Sequence, residues 1–590
     1  MDRQRFVAYS GAAARLSWCG RHARTEIRNL PPLKGTALTT DVATGIARIL
    51  KQEGVAWVST FPVCRVNNAL GRENVPMLMM RDDRYAIAVA DAFSRITGGK
   101  QVGVATVQGG VNAAGLQVAY AGLAQAYEDN SPMLCITDGV PIGSTENSHF
   151  DLTVSLKSVS KWYGYIDKPE RVPEFMRRAF TMLRTGRPGP VILAVPEATG
   201  QYDDTADPYT PVKGWKAAPD PADVKLAIEW LVAAQSPLLY AGEGVIYADA
   251  VAELKAFVEL ANVPVITTLK AKGAFPETHP LFVGVRGDQV TEYLKKSDLI
   301  LAVGSSLSPG RFSHAIPNAA TKTIISCNVS ELDVNKVFPT AHALIGDARF
   351  ALQALTEELT AQSGGKGRPP ASVAAEVKAS RDRALASYRA AMASDDAPIN
   401  PYRVYSELMK VLDPHKSFVT HESGNTRDQL STVYDTLIPR GFLGWGNVSS
   451  LGYSLAAVVA AKKAHPERSA VAVTGEAGLG YMMGNLEVPV RERLGVTIVH
   501  VSNGGFAGYG PGFWGEGHDP YTHRVLGPDE IDLSKAIREF GLHTERVTEP
   551  TALAGALQRA LAANADGGPA YIEAVCSQFP IYGQWVTRSG

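Results

Sequence analysis

A chain of 590 residues exceeds what one hydrophobic core supports, so about two to four domains are expected. Its 45% hydrophobic and 20% charged content is that of a globular protein, and a formal net charge of −1 argues against a general binder of nucleic acid or anionic membrane. Cys19, Cys64, Cys135, Cys327 and Cys576 show no paired metal spacing and no disulfide framework, which favours a reducing cytoplasm, and no apolar run reaches the ~20 residues of a membrane span.

Residues 1–37 stand apart. They carry Arg3, Arg5, Arg15, Arg21, Arg24, Arg28 and Lys34 against only Asp2 and Glu26. An arginine-rich, acid-poor leader can be a transit peptide. The plainer alternative is a surface extension, because the segment lacks a clean amphipathic period and includes Leu30-Pro31-Pro32. Two polar, proline-rich stretches, 206–221 and 363–370, then divide the rest of the chain. The resulting blocks span 38–205, 222–360 and 400–590, with residues 361–399 forming a linker that contains a helix over 371–393. Each block alternates apolar strands with helical segments, which predicts α/β architecture with parallel sheets. No short-period repeat is visible, and in the middle block Gly242-Glu243-Gly244 after the strand 238–241 is a weak nucleotide signal.

The third block holds the sharpest pattern. Glu476 follows the apolar run Ser469–Thr474, and Asn503 follows the run 496–501; both runs read as buried strands, with 479–493 long enough for a helix between them. Polar residues at both strand ends of such a unit lie at the carboxyl edge of a parallel sheet, where open α/β sheets bind ligands. A carboxylate and an amide oxygen there can hold Mg²⁺, a hard cation that prefers oxygen ligands and substrate phosphates. An ordinary strand–helix–strand unit with polar loops is the alternative.

The segment Gly475-Glu476-Ala477 through Ser502-Asn503-Gly504-Gly505 resembles the diphosphate-binding motif of thiamine diphosphate (ThDP) enzymes, with Glu for the usual Asp and Ala477 for a usual Gly. Resemblance to the acetolactate synthase-like branch runs from about Thr39 to Cys576. It is carried by Arg81–Arg95, by Ala105–Gly110 with Asn112, by Ala126–Pro141 and by Thr267–Pro280. It implies ThDP-binding folds in the first and third blocks around a Rossmann-like middle domain. It also implies a homodimer or homotetramer with active sites between the first block of one subunit and the third block of another.

What the resemblance implies about the site can be named residue by residue. Glu476, Asn503 and the Gly505 carbonyl would ligate the metal. Ser423, Gly424, Asn425, Gly475, Ala477 and Gly478 would lie along the diphosphate. Leu451 would wedge the cofactor into a bent shape, and the Ser449 carbonyl would meet the pyrimidine amino group. The activating glutamate of the family falls on Asp83, shorter by one methylene. Asp83 could reach the pyrimidine after a small shift, act through a water, or serve instead as a helix cap or a partner of Arg81 and Arg84; one branch, the glyoxylate carboligases, lacks that glutamate altogether. Gln108, His149-Phe150 and the glycine-rich stretch 506–524 with His518 and His523 line the region used for substrate. That stretch reads as a lid whose histidines could relay protons, or as plain surface.

In relatives the middle domain binds FAD, binds an ADP moiety or is empty; FAD, ADP or CoA is possible here but no pattern supports it. The expected activity is ThDP- and Mg²⁺-dependent C–C cleavage or carboligation on a small 2-oxo acid or related carbonyl compound. A 2-hydroxyacyl-CoA lyase or oxalyl-CoA decarboxylase type, for which Lys295-Lys296 is a hint, a cyclic diketone hydrolase, and a non-catalytic ThDP-binding protein are the alternatives.

Overall fold

The computed structural model describes residues 39–110, 114–144, 152–310, 312–369, 373–504 and 532–587. Three six-stranded sheets organise them, and every strand pair within these sheets is parallel. The first sheet contains β1 (Val58–Thr60), β2 (Met77–Met79), β3 (Val104–Val107), β4 (Leu134–Asp138), β5 (Trp162–Tyr165) and β6 (Val191–Val195), in the order β2-β1-β3-β4-β6-β5. The second contains β7 (Pro237–Ala241), β8 (Val265–Thr267), β9 (Phe282–Gly284), β10 (Leu299–Val303), β11 (Thr323–Asn328) and β12 (His342–Ile345), in the order β9-β8-β7-β10-β11-β12. The third contains β13 (Ser417–His421), β14 (Phe442–Leu443), β15 (Ser469–Thr474), β16 (Val496–Ser502), β17 (His543–Val547) and β18 (Ala570–Val575), in the order β14-β13-β15-β16-β18-β17. Counted along the chain, sheets one and three have the same strand order, a kinship that the two sequences do not display.

The helices that matter for the site are α1 (Asp83–Ile96), α2 (Ala114–Glu128), α3 (Val373–Met392), α4 (Asn425–Val433), α5 (Tyr453–Ala464), α6 (Glu476–Met482) and α7 (Glu487–Arg491). Helix α1 enters sheet one before β3, and α5 enters sheet three before β15, so the two occupy equivalent places. They pack against one another. Both are buried nearly all round, and in α1 this includes the polar residues Asp83, Asp91, Ser94 and Arg95. Both are rich in buried alanine, at 86, 88, 90 and 92 and at 456, 457, 460 and 461. Each fully buried Leu or Val in such a seam contributes roughly 1.5–3 kcal/mol.

The expected helix over 479–493 is broken. Helix α6 ends at Met482, a tight turn covers Met483–Asn485, and α7 begins at Glu487. Pro489 has no N–H to offer the carbonyl four residues back, and its ring crowds that carbonyl, so a continuous helix cannot pass. The linker helix spans Val373–Met392, close to its expected range.

A buried ionic seam joins the three blocks. Arg95 of α1 is wholly buried and lies 3.1 Å from Asp129 and 3.6 Å from Glu243 of the middle block. Glu243 also meets Arg440 of the third block at 2.9 Å. The four described cysteines are free and buried. No described helix is long and apolar enough to cross a membrane.

Candidate active site

Strands β13, β15 and β16 are neighbours in the third sheet, and their carboxyl ends bring Glu422, Glu476 and Asn503 to one edge. Thr474 pairs with His500 in register, which sets the two following turns side by side. Glu476 Oε1 accepts the Asn503 backbone N–H at 2.6 Å. His500 Nε2 lies 3.7 Å from the same oxygen, and burial pushes His500 down to about 3, so it is neutral and adds no positive charge there. The Glu476 side chain is 25% exposed, open enough to meet a ligand. The Gln578 side-chain amide donates to the Asn503 carbonyl at 3.3 Å and steadies that turn from the far side.

The donor chemistry suits a hard cation. Among the described residues no group of three or more His, Cys, Asp or Glu is gathered for a metal, so a cation here would rely on one carboxylate with amide and backbone oxygens. A Cβ built on Gly475 or on Gly424 would meet no atom of the described residues within 4 Å, so both turns present bare backbone there. Gly424 has φ +98°, a conformation that favours glycine, and it caps α4, whose first residue is Asn425. Ala477 does not take the place of a required glycine: it lies within right-handed α6, where alanine is at ease.

The turn before α5 faces the same edge. Ser449 holds a left-handed φ of +63°, rare for a residue with a Cβ and characteristic of functional turns. Its hydroxyl meets that of Ser423 and accepts from Arg427 Nη1 at 3.2 Å. The Leu451 carbonyl accepts from the Arg84 guanidinium, and the Gly452 carbonyl accepts the Tyr85 hydroxyl at 2.6 Å. Ser450 N–H donates to Gln125 Oε1 at 3.2 Å. The start of α1 therefore meets the 449–452 turn within a single chain.

Asp83 is buried at the first residue of α1. Its Oδ1 accepts the Gln108 N–H at 3.0 Å, and a Cβ at Gly115 would lie 2.7 Å from that oxygen. Burial raises its affinity for a proton, against the backbone N–H bonds that lower it. The cap and ion-pair alternatives for Asp83 do not describe it. Asp82 is the cap, accepting the Tyr85 N–H at 2.8 Å; Arg81 pairs with Glu487 at 2.6 Å, and Arg84 turns to Leu451. Gln108 thus joins Asp83 through its backbone, in the first block, while Glu476 and Asn503 join each other in the third. His149, His518, Gly505, Asn112, Phe150 and the stretch 506–524 with His523 lie outside the described residues, as does the extension 1–37.

Sequence reasoning missed Glu422. It is fully buried, and burial raises it to about 7. It directly follows strand β13, Ser417–His421, in which only Phe418 and Val419 are apolar, so no apolar run marks it as one marks Glu476.

A second cavity, of about 820 Å³, lies at the carboxyl ends of β7, β8, β10, β11 and β12. Lys100, Arg187, Lys216 and Lys270 line it together with the loop 304–308. Gly242 and Gly244 serve close packing there: a Cβ on either would lie within 2.7 Å of the Gly304 backbone. The cavity is where parallel sheets bind ligands, though nothing in its lining selects FAD over ADP or CoA. The hint of a CoA site at Lys295-Lys296 weakens, since Lys296 lies 3.5 Å from Glu376 of α3 and over the Tyr293 ring.

Three family models match the chain: the N-terminal TPP-binding domain of thiamine pyrophosphate enzymes over residues 40–159, their central domain over 224–355, and their C-terminal TPP-binding domain over 422–574. A probable acetolactate synthase large subunit of Methanocaldococcus jannaschii is 27% identical over 558 residues, covering 88% of this chain and 90% of that protein. Acetolactate synthase isozyme 3 large subunit of Escherichia coli K12 is 25% identical over 538 residues, covering 88% and 91%. Glyoxylate carboligase of Escherichia coli O157:H7 is 27% identical over 468 residues, covering 77% of each chain. With one matched domain on each of the three sheets, the chain belongs to the thiamine diphosphate-dependent enzymes, in their acetolactate synthase-like branch.

Proposed function

We propose that this enzyme is a ThDP- and Mg²⁺-dependent carboligase acting on a small 2-oxo acid. The observation that carries the proposal is the junction of Glu476 and Asn503 at the edge of the third sheet, 2.6 Å apart. Relatives named acetolactate synthase and glyoxylate carboligase support the class of reaction. Bound ThDP would supply a carbon nucleophile and an electron sink, chemistry that no side chain offers.

The chain's own residues bind, orient and manage protons. Glu476 and the Asn503 side chain supply oxygens to Mg²⁺, with the Gly505 carbonyl as a third donor. Gly424, Gly475 and their neighbours Ser423, Asn425, Ala477 and Gly478 leave the diphosphate its room. Leu451 gives the apolar wedge and Ser449 a carbonyl acceptor. Asp83, buried and raised in proton affinity, is suited to hold a proton at Oδ1 or Oδ2 next to the pyrimidine. Gln108 and the histidines at 149 and 518 would face the substrate. A homodimer or homotetramer, with Asp83 of one copy serving the third block of another, is part of the proposal, although its neighbours Arg84 and Tyr85 bond to the 451–452 turn of their own chain.

Calorimetry tests it. Glu476→Ala in the presence of Mg²⁺ is expected to lose ThDP binding while the apo fold, read by circular dichroism, is retained. Parental ThDP affinity in that variant would remove the metal assignment.

A further inference from the structure

Glu422 is a buried carboxylate to which no role has been given, and it touches both turns that would grip the cofactor. Its Oε1 accepts the Ser423 N–H at 2.9 Å, at the start of the loop that leads to Gly424. Its Oε2 accepts the Ser454 hydroxyl at 2.9 Å and the Ser454 N–H at 3.4 Å, at the foot of the turn 449–454. Its stem fills the place where a side chain at residue 478 would go: a Cβ on Gly478 would lie 2.1 Å from Glu422 Cγ. One side chain therefore abuts the loop 423–425, the turn 449–454 and the turn 475–478. Tyr85 of the first block reaches the same turn, with its hydroxyl on the Gly452 carbonyl.

A buried carboxylate without a cationic partner is costly, and neutral donors offset only part of that cost. Among the described residues no cation pairs with Glu422; its partners are backbone N–H groups and one hydroxyl. The neighbouring Arg427 is turned to Asp428 at 3.0 Å and to Ser449 instead. An apolar side chain would fill the space without the desolvation cost, so the acceptor geometry is the property in use. It ties Ser423 to Ser454, and through them the diphosphate loop to the left-handed turn at Ser449.

We propose that Glu422 is a positioning residue for the cofactor: its two carboxylate oxygens clamp the loop at Ser423 to the turn at Ser454, and so set the distance between the groups that hold the diphosphate and the wedge at Leu451. The proposal rests on the cofactor assignment made above. It is distinct from metal ligation, because Glu422 acts through backbone N–H groups rather than through a cation.

The clamp is tested by measuring ThDP affinity of the full-length apo protein in saturating Mg²⁺ by calorimetry. Glutamine keeps the shape of Glu422 but presents N–H to one of the two donor groups, so Glu422→Gln is expected to weaken ThDP by about tenfold or more, as the loss of one charge-assisted hydrogen bond would. Ser454→Ala, which removes one donor and leaves the core filled, is expected to weaken it by a smaller factor. The double variant should be no weaker than Glu422→Gln alone, since both changes open the same clamp. Apo thermal stability of Ser454→Ala should stay near the parent, which keeps the test valid where Glu422→Gln folds poorly. Parental ThDP affinity in Ser454→Ala and in Glu422→Gln, or simply additive losses, would overturn the proposal. Glu476→Ala, run alongside, separates the two claims. Loss of binding there with none in Glu422→Gln defeats the clamp alone, parental binding in Glu476→Ala defeats the metal assignment alone, and absence of ThDP binding by the parent protein defeats the cofactor assignment itself.

Discussion

In sheet one, the third strand in chain order runs into Gln108, Gly109 and Gly110; in sheet three, the equivalent strand runs into Gly475, Glu476, Ala477 and Gly478. The next strand of sheet one ends at Asp138, and its counterpart is followed by Asn503. The two edges share a scaffold and differ in what they leave open. At the first, Asp83 is 4% exposed and bonded to the Gln108 backbone. At the third, Glu476 is 25% exposed beside bare glycine backbone. Equal topology thus ends in two unlike edges: a closed one, where a buried acid is bonded to backbone, and an open one, where a part-exposed acid lies beside bare glycine backbone. The chemistry is set by the side chains at the strand ends, not by the strand order.

The largest expected effect falls on the closed edge. Asp83→Ala should slow exchange of the cofactor's C2 proton by roughly 10²–10⁴-fold, the usual contribution of a general acid–base group, with ThDP affinity little changed. Exchange followed by NMR in deuterated buffer measures it. Parental exchange would leave Asp83 as the residue that pins the Gln108 turn, and the two edges would then differ less than proposed.

A smaller effect separates the two glycine turns. A Cβ on Gly109 would lie 2.2 Å from Thr137 Oγ1, whereas one on Gly478 meets Glu422 Cγ. Overpacking at either site, as Gly109→Ala or Gly478→Ala, should cost about 1–3 kcal/mol in denaturant unfolding. Only Gly478→Ala should weaken ThDP as well, because only there does the displaced side chain touch the turns proposed to hold the cofactor. Equal losses of affinity in both variants would erase the distinction.

The smallest effect lies on the seam between the equivalent helices. Tyr85→Phe removes the hydroxyl on the Gly452 carbonyl and leaves the ring, so it should cost about 1 kcal/mol of stability. A shift well beyond that in the unfolding midpoint would mean that the Gly452 turn depends on the first block more than its single bond implies.

Much of this was legible from residue order. Strand β15 occupies Ser469–Thr474, the run that its unbroken apolar character marks, and Glu476 and Asn503 meet because adjacent parallel strands in register bring their ends together. Local pattern suffices where one strand follows another through a single connection. The common order of sheets one and three was not legible, because strand order depends on pairings between distant segments that leave no mark on either sequence alone. The break before α7 was missed because only the length of 479–493 was read, and Pro489 within it was not weighed. Glu422 was missed because an acid after a strand looks the same whether it faces solvent or is folded under a turn; only packing tells. Likewise, nothing local distinguishes Asp82, which caps α1, from Asp83, which lies beneath Gln108.

The seam of Arg95, Asp129, Glu243 and Arg440 bears on whether the enzyme can be taken apart. Its charges come from all three blocks, and loss of the middle block would take from Arg440 the carboxylate it pairs with and from Arg95 one of its two. Removing one member of such a buried set typically costs about 3–5 kcal/mol, a large share of what holds an ordinary domain folded. The middle block is therefore not a detachable module carried between two cofactor-binding halves. A shuffled or trimmed descendant of this chain would have to replace its counter-ions before it could dispense with the block that carries them.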